Sequence, residues 1–136
     1  MSGPIRVGLF GAGVVGGGIV ELIQRNINSG RFQVLGADIT VVKICVRDAG
    51  KARDFNTNGV TFVTDIHDIL DDNNINCVIE VMGGLTTAKD VVFGAINKGK
   101  HVVTANKALI ATFLPELQDA LSRHPEVRYV PIQCVD

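Results

Sequence analysis

The chain has 136 residues and a formal net charge of -1, with 46% hydrophobic and 20% charged residues. That length supports one hydrophobic core and not two, so residues 1–136 are expected to form a single domain. The composition excludes a disordered chain. The lack of a clustered basic excess argues against a nucleic-acid partner, and no apolar run approaches the ~20 residues that a membrane span needs.

Met1-Ser2-Gly3-Pro4 leads straight into a strand-like segment, without a signal-peptide pattern. Cys45, Cys77 and Cys134 are scattered and each sits among apolar, β-prone residues. They make neither a disulfide framework nor a zinc pair, and are expected to be buried, reduced thiols of a cytoplasmic protein.

In chain order, Ile5-Arg6-Val7-Gly8-Leu9-Phe10 is a short β-prone run that ends at Gly11. From Val14 the period becomes helical. Val15, Ile19, Leu22, Ile23 and Ile27 share one face, Glu21, Gln24, Arg25 and Asn28 lie opposite, and Gly30 suits the helix end. The β-branched stretch 39–46 predicts a second strand, and residues 50–57 are compatible with a short helix or a turn. Residues 60–63 predict a third strand, followed by Asp65 as N-cap of a helix carrying Ile66, Ile69 and Leu70.

Residues 77–82 predict a fourth strand closed by Gly83-Gly84. Thr86 or Thr87 then caps a helix whose apolar face is Val91, Val92, Ala95 and Ile96. Residues 101–104 predict a fifth strand, 108–123 a helix broken or kinked at Pro115, and 127–132 a sixth strand. Alternating strands and helices at this spacing predict right-handed βαβ units. The expected fold is α/β: a doubly wound, mostly parallel sheet of about six strands with helices on both faces.

One motif in this frame carries chemistry. Gly11-Ala12-Gly13-Val14-Val15-Gly16 matches Gly-x-Gly-x-x-Gly at the first strand-to-helix turn, the context that makes it a Rossmann dinucleotide fingerprint. Gly11 permits the tight turn, Gly13 admits the pyrophosphate to the backbone, and Gly16 lets the helix pack close to the strand. Free N–H groups near Val14 and Val15 then face the anion with the helix dipole behind them.

The residue after the second strand selects the cofactor. An acidic side chain there accepts bonds from the 2′-hydroxyl of NAD, and an arginine accommodates the 2′-phosphate of NADP. The sequence offers Arg47 first, then Asp48, with Lys51 able to add charge to the same phosphate, which favours NADP with NAD tolerated. Gly83-Gly84 and Thr104-Ala105-Asn106-Lys107 fall at the carboxyl ends of the fourth and fifth strands, where ligands of open parallel sheets lie. Lys107 is thereby placed at the nicotinamide end. His67, His101 and His124 are unclustered, and the acidic stretch around Asp65, Asp68, Asp71 and Asp72 reads as a solvated helix end and not as a metal site.

The segments VGLFGAGVVGGG (7–18), Val46-Arg47-Asp48, VIEVMGG (78–84) and above all AKDVVFGAINKGKHVVTANKALIA (88–111) resemble the amino-terminal domain of homoserine dehydrogenase, to about residue 130. The resemblance implies an oxidoreductase that interconverts L-homoserine and aspartate 4-semialdehyde with NAD(P), on the route to threonine and methionine. By position it implies that Phe10 to Gly16 hold the pyrophosphate, Arg47 and Lys51 the adenosine end, and Met82 and Gly83 the nicotinamide ribose. Lys107 would match the lysine beside nicotinamide and substrate.

The family's pattern continues into a substrate-binding and dimerisation domain. Residues 131–136 lack its opening Glu, and its homoserine-binding groups, its proton-transfer aspartate and lysine and its monovalent cation site have no counterpart here. Lys107 would need burial or neighbouring cations to act as a base near neutrality, so cofactor binding with little or no turnover is expected. The other reading is a stand-alone dinucleotide-binding sensor or subunit without catalysis. A more distant rival is another oxidoreductase with a similar nucleotide domain, such as aspartate dehydrogenase.

Overall fold

The computed structural model describes residues 4–11, 14–28, 38–48, 50, 59–82 and 84–131. In chain order these form β1 (Ile5–Phe10), α1 (Val14–Asn28), β2 (Ile39–Cys45), β3 (Thr61–Val63), α2 (His67–Leu70), β4 (Cys77–Glu80), α3 (Thr86–Asn97), β5 (His101–Thr104), α4 (Lys107–Arg123) and β6 (Tyr129–Pro131). The strands make one sheet in the order β3-β2-β1-β4-β5-β6, and every neighbouring pair is parallel. The chain builds outward from β1 to β3 on one side and then restarts beside β1 with β4. That reversal leaves a crevice at the carboxyl ends of β1 and β4.

Alternate strand residues face opposite sides, and each side has its own core. Phe10, Cys45, Val78 and Val102 pack with Ile69 and Leu70 of α2 and with the buried faces of α3 and α4. Leu9, Ile44, Cys77 and Ile79 pack on the other side with Val20 of α1. All four residues of β4 are buried, as expected for a central strand covered on both faces. Val91, Val92, Ala95 and Ile96 of α3 are wholly buried, as their spacing predicts. Each buried Val or Ile stabilises the fold by roughly 1.5–3 kcal/mol.

Several local expectations shift. Leu22, expected on the apolar face of α1, is 56% exposed and Val20 is buried instead. The face of α1 is set by where its first turn meets the sheet, and a run of three glycines carries no period to reveal that rotation. Val15, Ile23 and Ile27 belong to α1 but their side chains are outside the description, and Gly30 and most of the 50–57 segment lie outside the described residues. Neither Thr86 nor Thr87 caps α3: the cap position is Leu85, and no side chain bonds the helix start. Asp65 stands one residue ahead of the cap position of α2, where its Oδ1 accepts the His67 N–H at 2.9 Å.

The break in α4 falls at Phe113 (φ -118°, ψ 24°), two residues before Pro115. Pro115 has no N–H to give the preceding turn and its ring crowds that turn, so the distortion appears upstream. The fourth strand ends at Glu80 and the sixth covers Tyr129–Pro131, both shorter than expected. Cys45 and Cys77 are buried free thiols, and Cys134 lies outside the described residues. Asp72 pairs with Lys43 at 3.0 Å and Asp71 with Lys98 at 3.3 Å, so two of the four carboxylates of that acidic stretch meet lysines.

Candidate functional site

The carboxyl edge of the sheet is laced together beyond the strand ends. Gly11 N–H donates to the Cys45 carbonyl (3.0 Å), Val81 N–H to Phe10 (3.0 Å), Ala105 N–H to Glu80 (3.2 Å) and Val46 N–H to Val63 (2.9 Å). The turns after β1, β2, β4 and β5 therefore sit at fixed heights along one edge. The first turns of α1, α3 and α4 open onto the same edge.

At the switch point Gly11 has φ +104°, a left-handed conformation suited to glycine, and a Cβ there would lie 3.3 Å from the Met82 Cα. Gly16 is buried as the third residue of α1, and a Cβ on it would collide with the Gly11 carbonyl oxygen. The two glycines thus seat the start of α1 directly on the end of β1. No acidic side chain occupies the first turn of α1, so its free N–H groups and positive dipole end suit a phosphate group. Such a cradle fits a dinucleotide pyrophosphate.

Phe10 reaches this edge only through its backbone, because its ring is buried in the core. Val14 and Val15 supply the first backbone groups of α1. Gly13, Lys51 and Gly83, three further candidate positions, lie outside the described residues.

Among the described residues, two cavities along the edge stand out. The larger, about 440 Å³, is lined by Cys45, Val46 and Arg47 after β2, Thr64 and Ile66 after β3, Met82, Gly84 and Leu85 after β4, and Thr86 and Thr87 at the start of α3. Arg47 is exposed at its rim. Asp48, its competitor at this position, accepts the Gly50 N–H on Oδ1 at 3.0 Å and so folds back onto its own turn. Burial pushes the Cys45 thiol up, with Asp65 and Asp68 adding to the shift, which makes it a poor nucleophile.

The second cavity, about 330 Å³, lies between the ends of β4 and β5 and is lined by Glu80, Val81, Ala105, Asn106, Lys107 and Ala108. Lys107 is the first residue of α4 and is exposed. The structure therefore places Arg47 and Met82 on one cavity and Lys107 on the other.

Three residues in or beside the second cavity carry hydrogen bonds that were not among the expectations from the sequence. Glu80 is wholly buried, and its Oε2 accepts the Met82 N–H at 2.8 Å while Oε1 accepts the Thr104 hydroxyl at 2.9 Å. Thr104 Oγ1 accepts the Asn106 N–H at 3.0 Å. Asn106 caps α4 by accepting the Leu109 N–H at 3.0 Å and donates through Nδ2 to the Gly84 carbonyl at 2.6 Å. The signal for the cap was an Asn just ahead of a helix, which the expected helix start at residue 108 missed by one position. The signal for Glu80 was a carboxylate inside an otherwise apolar strand, which must find partners if buried. Nearby, the Tyr129 hydroxyl is buried without a hydrogen-bond partner among the described residues, and burial together with the Glu80 charge pushes its pKa up to about 12.

A glycine-built helix start at the switch point of an all-parallel sheet, flanked by two cavities on the same edge, defines a Rossmann-type dinucleotide-binding domain. The family model of the homoserine dehydrogenase NAD-binding domain matches residues 11–131, and the chain belongs to that family. Homoserine dehydrogenase of Bacillus subtilis is 41% identical over 113 residues, which cover 83% of this chain and 26% of the relative. The crystal structure of S. aureus homoserine dehydrogenase superposes with a TM-score of 0.85 at 33% identity, covering 96% of this chain and 32% of that one. The enzyme from Thiobacillus denitrificans gives 0.83 at 38% identity, covering 96% and 30%. The chain thus spans about a quarter to a third of the length of these relatives, and its ligand is a nicotinamide dinucleotide.

Proposed function

We propose that these residues bind NADP in preference to NAD and form the cofactor-binding part of a homoserine dehydrogenase, a cytoplasmic enzyme of threonine and methionine biosynthesis. Gly11, Gly13, Val14, Val15 and Gly16, with the Phe10 backbone, hold the pyrophosphate. Arg47 and Lys51 take the 2′-phosphate, Met82 and Gly83 border the nicotinamide ribose, and Lys107 faces the nicotinamide end. When bound, the nicotinamide ring supplies the hydride acceptor or donor for L-homoserine and aspartate 4-semialdehyde, whose binding needs a second domain.

The observation that carries the cofactor preference is the contrast at the end of β2. Arg47 is exposed at the rim of the larger cavity, while an oxygen of Asp48 is engaged by the Gly50 N–H. A guanidinium so placed can pair with a phosphate dianion, whereas an Asp turned onto its own backbone is a weaker partner for a 2′-hydroxyl.

Calorimetric titration with NADP and NAD tests this. NADP is expected to bind more tightly, and Arg47→Ala to weaken NADP about tenfold, or ~1.4 kcal/mol, with NAD little changed. Equal affinity for both cofactors, or an Arg47→Ala variant that binds NADP as well as the parent, would overturn the preference.

A further inference from the structure

We propose that Glu80 is a positioning residue that locks the turn after β4 to the turn after β5, so that the two walls of the nicotinamide-side cavity form one unit. The link to nicotinamide rests on the cofactor reading above; the lock itself does not.

A carboxylate at the end of a central strand is a costly choice. Glu80 follows Ile79 and is wholly buried, and taking a charged or polar group out of water is unfavourable unless its partners are all supplied. An apolar side chain would fill the same space without that cost, so packing does not account for the residue. What the carboxylate adds is two acceptor oxygens aimed at two different turns.

From Oε2 the path runs to the Met82 N–H, in the turn after β4. From Oε1 it runs to the Thr104 hydroxyl, and from Thr104 Oγ1 to the Asn106 N–H, in the turn after β5. Asn106 Nδ2 then returns to the Gly84 carbonyl, two residues beyond Met82. The hydrogen bonds close a ring between the two turns that line the cavity. Asn106 is also the cap of α4, so the ring sets where that helix begins. Lys107 comes next in the chain and lines the same cavity, as does Glu80. Glu80 therefore fixes the placement of Lys107 relative to the Met82 turn without touching it.

Glutamine changes this geometry. Its single acceptor oxygen can keep the Met82 N–H, but its NH2 group then donates to Thr104 Oγ1, reversing that bond and leaving the buried hydroxyl proton without its acceptor. Thr104→Val breaks the ring at the other side with nearly the same shape.

The test compares the parent chain with Glu80→Gln and Thr104→Val. Amide hydrogen exchange is followed by NMR, and each protein is titrated with NADPH and with 2′,5′-ADP, which lacks the nicotinamide half. Exchange at Met82 is expected to rise about tenfold in Thr104→Val, although Thr104 does not bond that amide, and exchange at Asn106 to rise similarly in Glu80→Gln. Val102, whose N–H bonds Arg128 across the sheet, reports global loosening and should stay unchanged. NADPH affinity is expected to fall about tenfold and 2′,5′-ADP affinity to stay within twofold.

Exchange that rises only at the amides directly bonded to the altered side chain would overturn the lock. So would equal weakening of both ligands, or a rise at Val102 as large as at Met82. If Glu80→Gln does not fold, Thr104→Val alone carries the same comparison. A parent chain that binds neither ligand would end the cofactor reading, while the exchange coupling would still decide the role of Glu80.

Discussion

Gly16 shows how one missing atom shapes the site. A Cβ there would strike the Gly11 carbonyl oxygen, which is backbone and cannot swing aside. Gly16→Ala must therefore push the start of α1 away from the end of β1. Overpacking of this kind costs about 1–3 kcal/mol, and the better helix propensity of alanine returns at most ~1 kcal/mol. The variant is expected to lose about 1–2 kcal/mol in urea unfolding and at least tenfold in NADP affinity, because the N–H groups of the helix start no longer meet the phosphates. Unchanged stability together with unchanged affinity would remove Gly16 from the cradle. Here the sequence was informative: the role of Gly16 follows from the motif alone, whereas the buried ring of Phe10 does not, since a strand residue's facing is known only once its neighbours are in place.

At the scale of elements, the connection from α2 to β4 is pinned by two lysines. Lys43 of β2 pairs with Asp72 at 3.0 Å and donates to the Asp68 carbonyl at 3.0 Å. Lys100, before β5, donates to the Asp72 and Ile75 carbonyls at 2.7 and 2.6 Å. The Lys43 hydrogen bond, helped by the Asn74 N–H, holds the Asp72 carboxyl below its ordinary value of 3.8. A carboxyl lowered by folding adds stability that is complete above its unfolded pKa and is lost as pH falls through the folded one. Asp72→Asn should thus melt lower than the parent at pH 7, by no more than the ~1 kcal/mol of a solvent-screened pair. The gap should close as pH drops below about 4, where unfolded carboxyls protonate. Melting curves at pH 7 and pH 3 check this, and a gap that stays constant with pH would mean that Asp72 acts through packing alone.

For the molecule as a whole, the edge that gathers the two cavities is also where Lys107 stands exposed. Alcohol oxidation needs a positioned proton acceptor and a held substrate, contributions of about 10²–10⁴-fold for the proton step and more for orientation. An exposed lysine at a helix start provides neither. The 136 residues are expected to bind NADP yet turn over L-homoserine at least about a thousandfold more slowly than a full-length homoserine dehydrogenase. Steady-state assay of the purified chain with L-homoserine and NADP, followed at the absorbance of the reduced nicotinamide, measures it. Turnover comparable to a full-length enzyme would show that the catalytic groups are already present.

The order of strands and helices, the parallel sheet, the glycine turn and the position of Arg47 were all written in local pattern: period, β-branching and glycine spacing act over a few residues and survive in one dimension. The rotation of α1, which exposes Leu22 and buries Val20, came only with packing, because the glycines at its start give no apolar stripe to orient it. The same holds for the ring through Glu80, Thr104, Asn106 and Gly84, whose members are up to 26 residues apart in sequence and meet because β4 and β5 lie side by side. Hydrogen bonding across a sheet edge depends on which strands are neighbours, and that is decided by the fold as a whole.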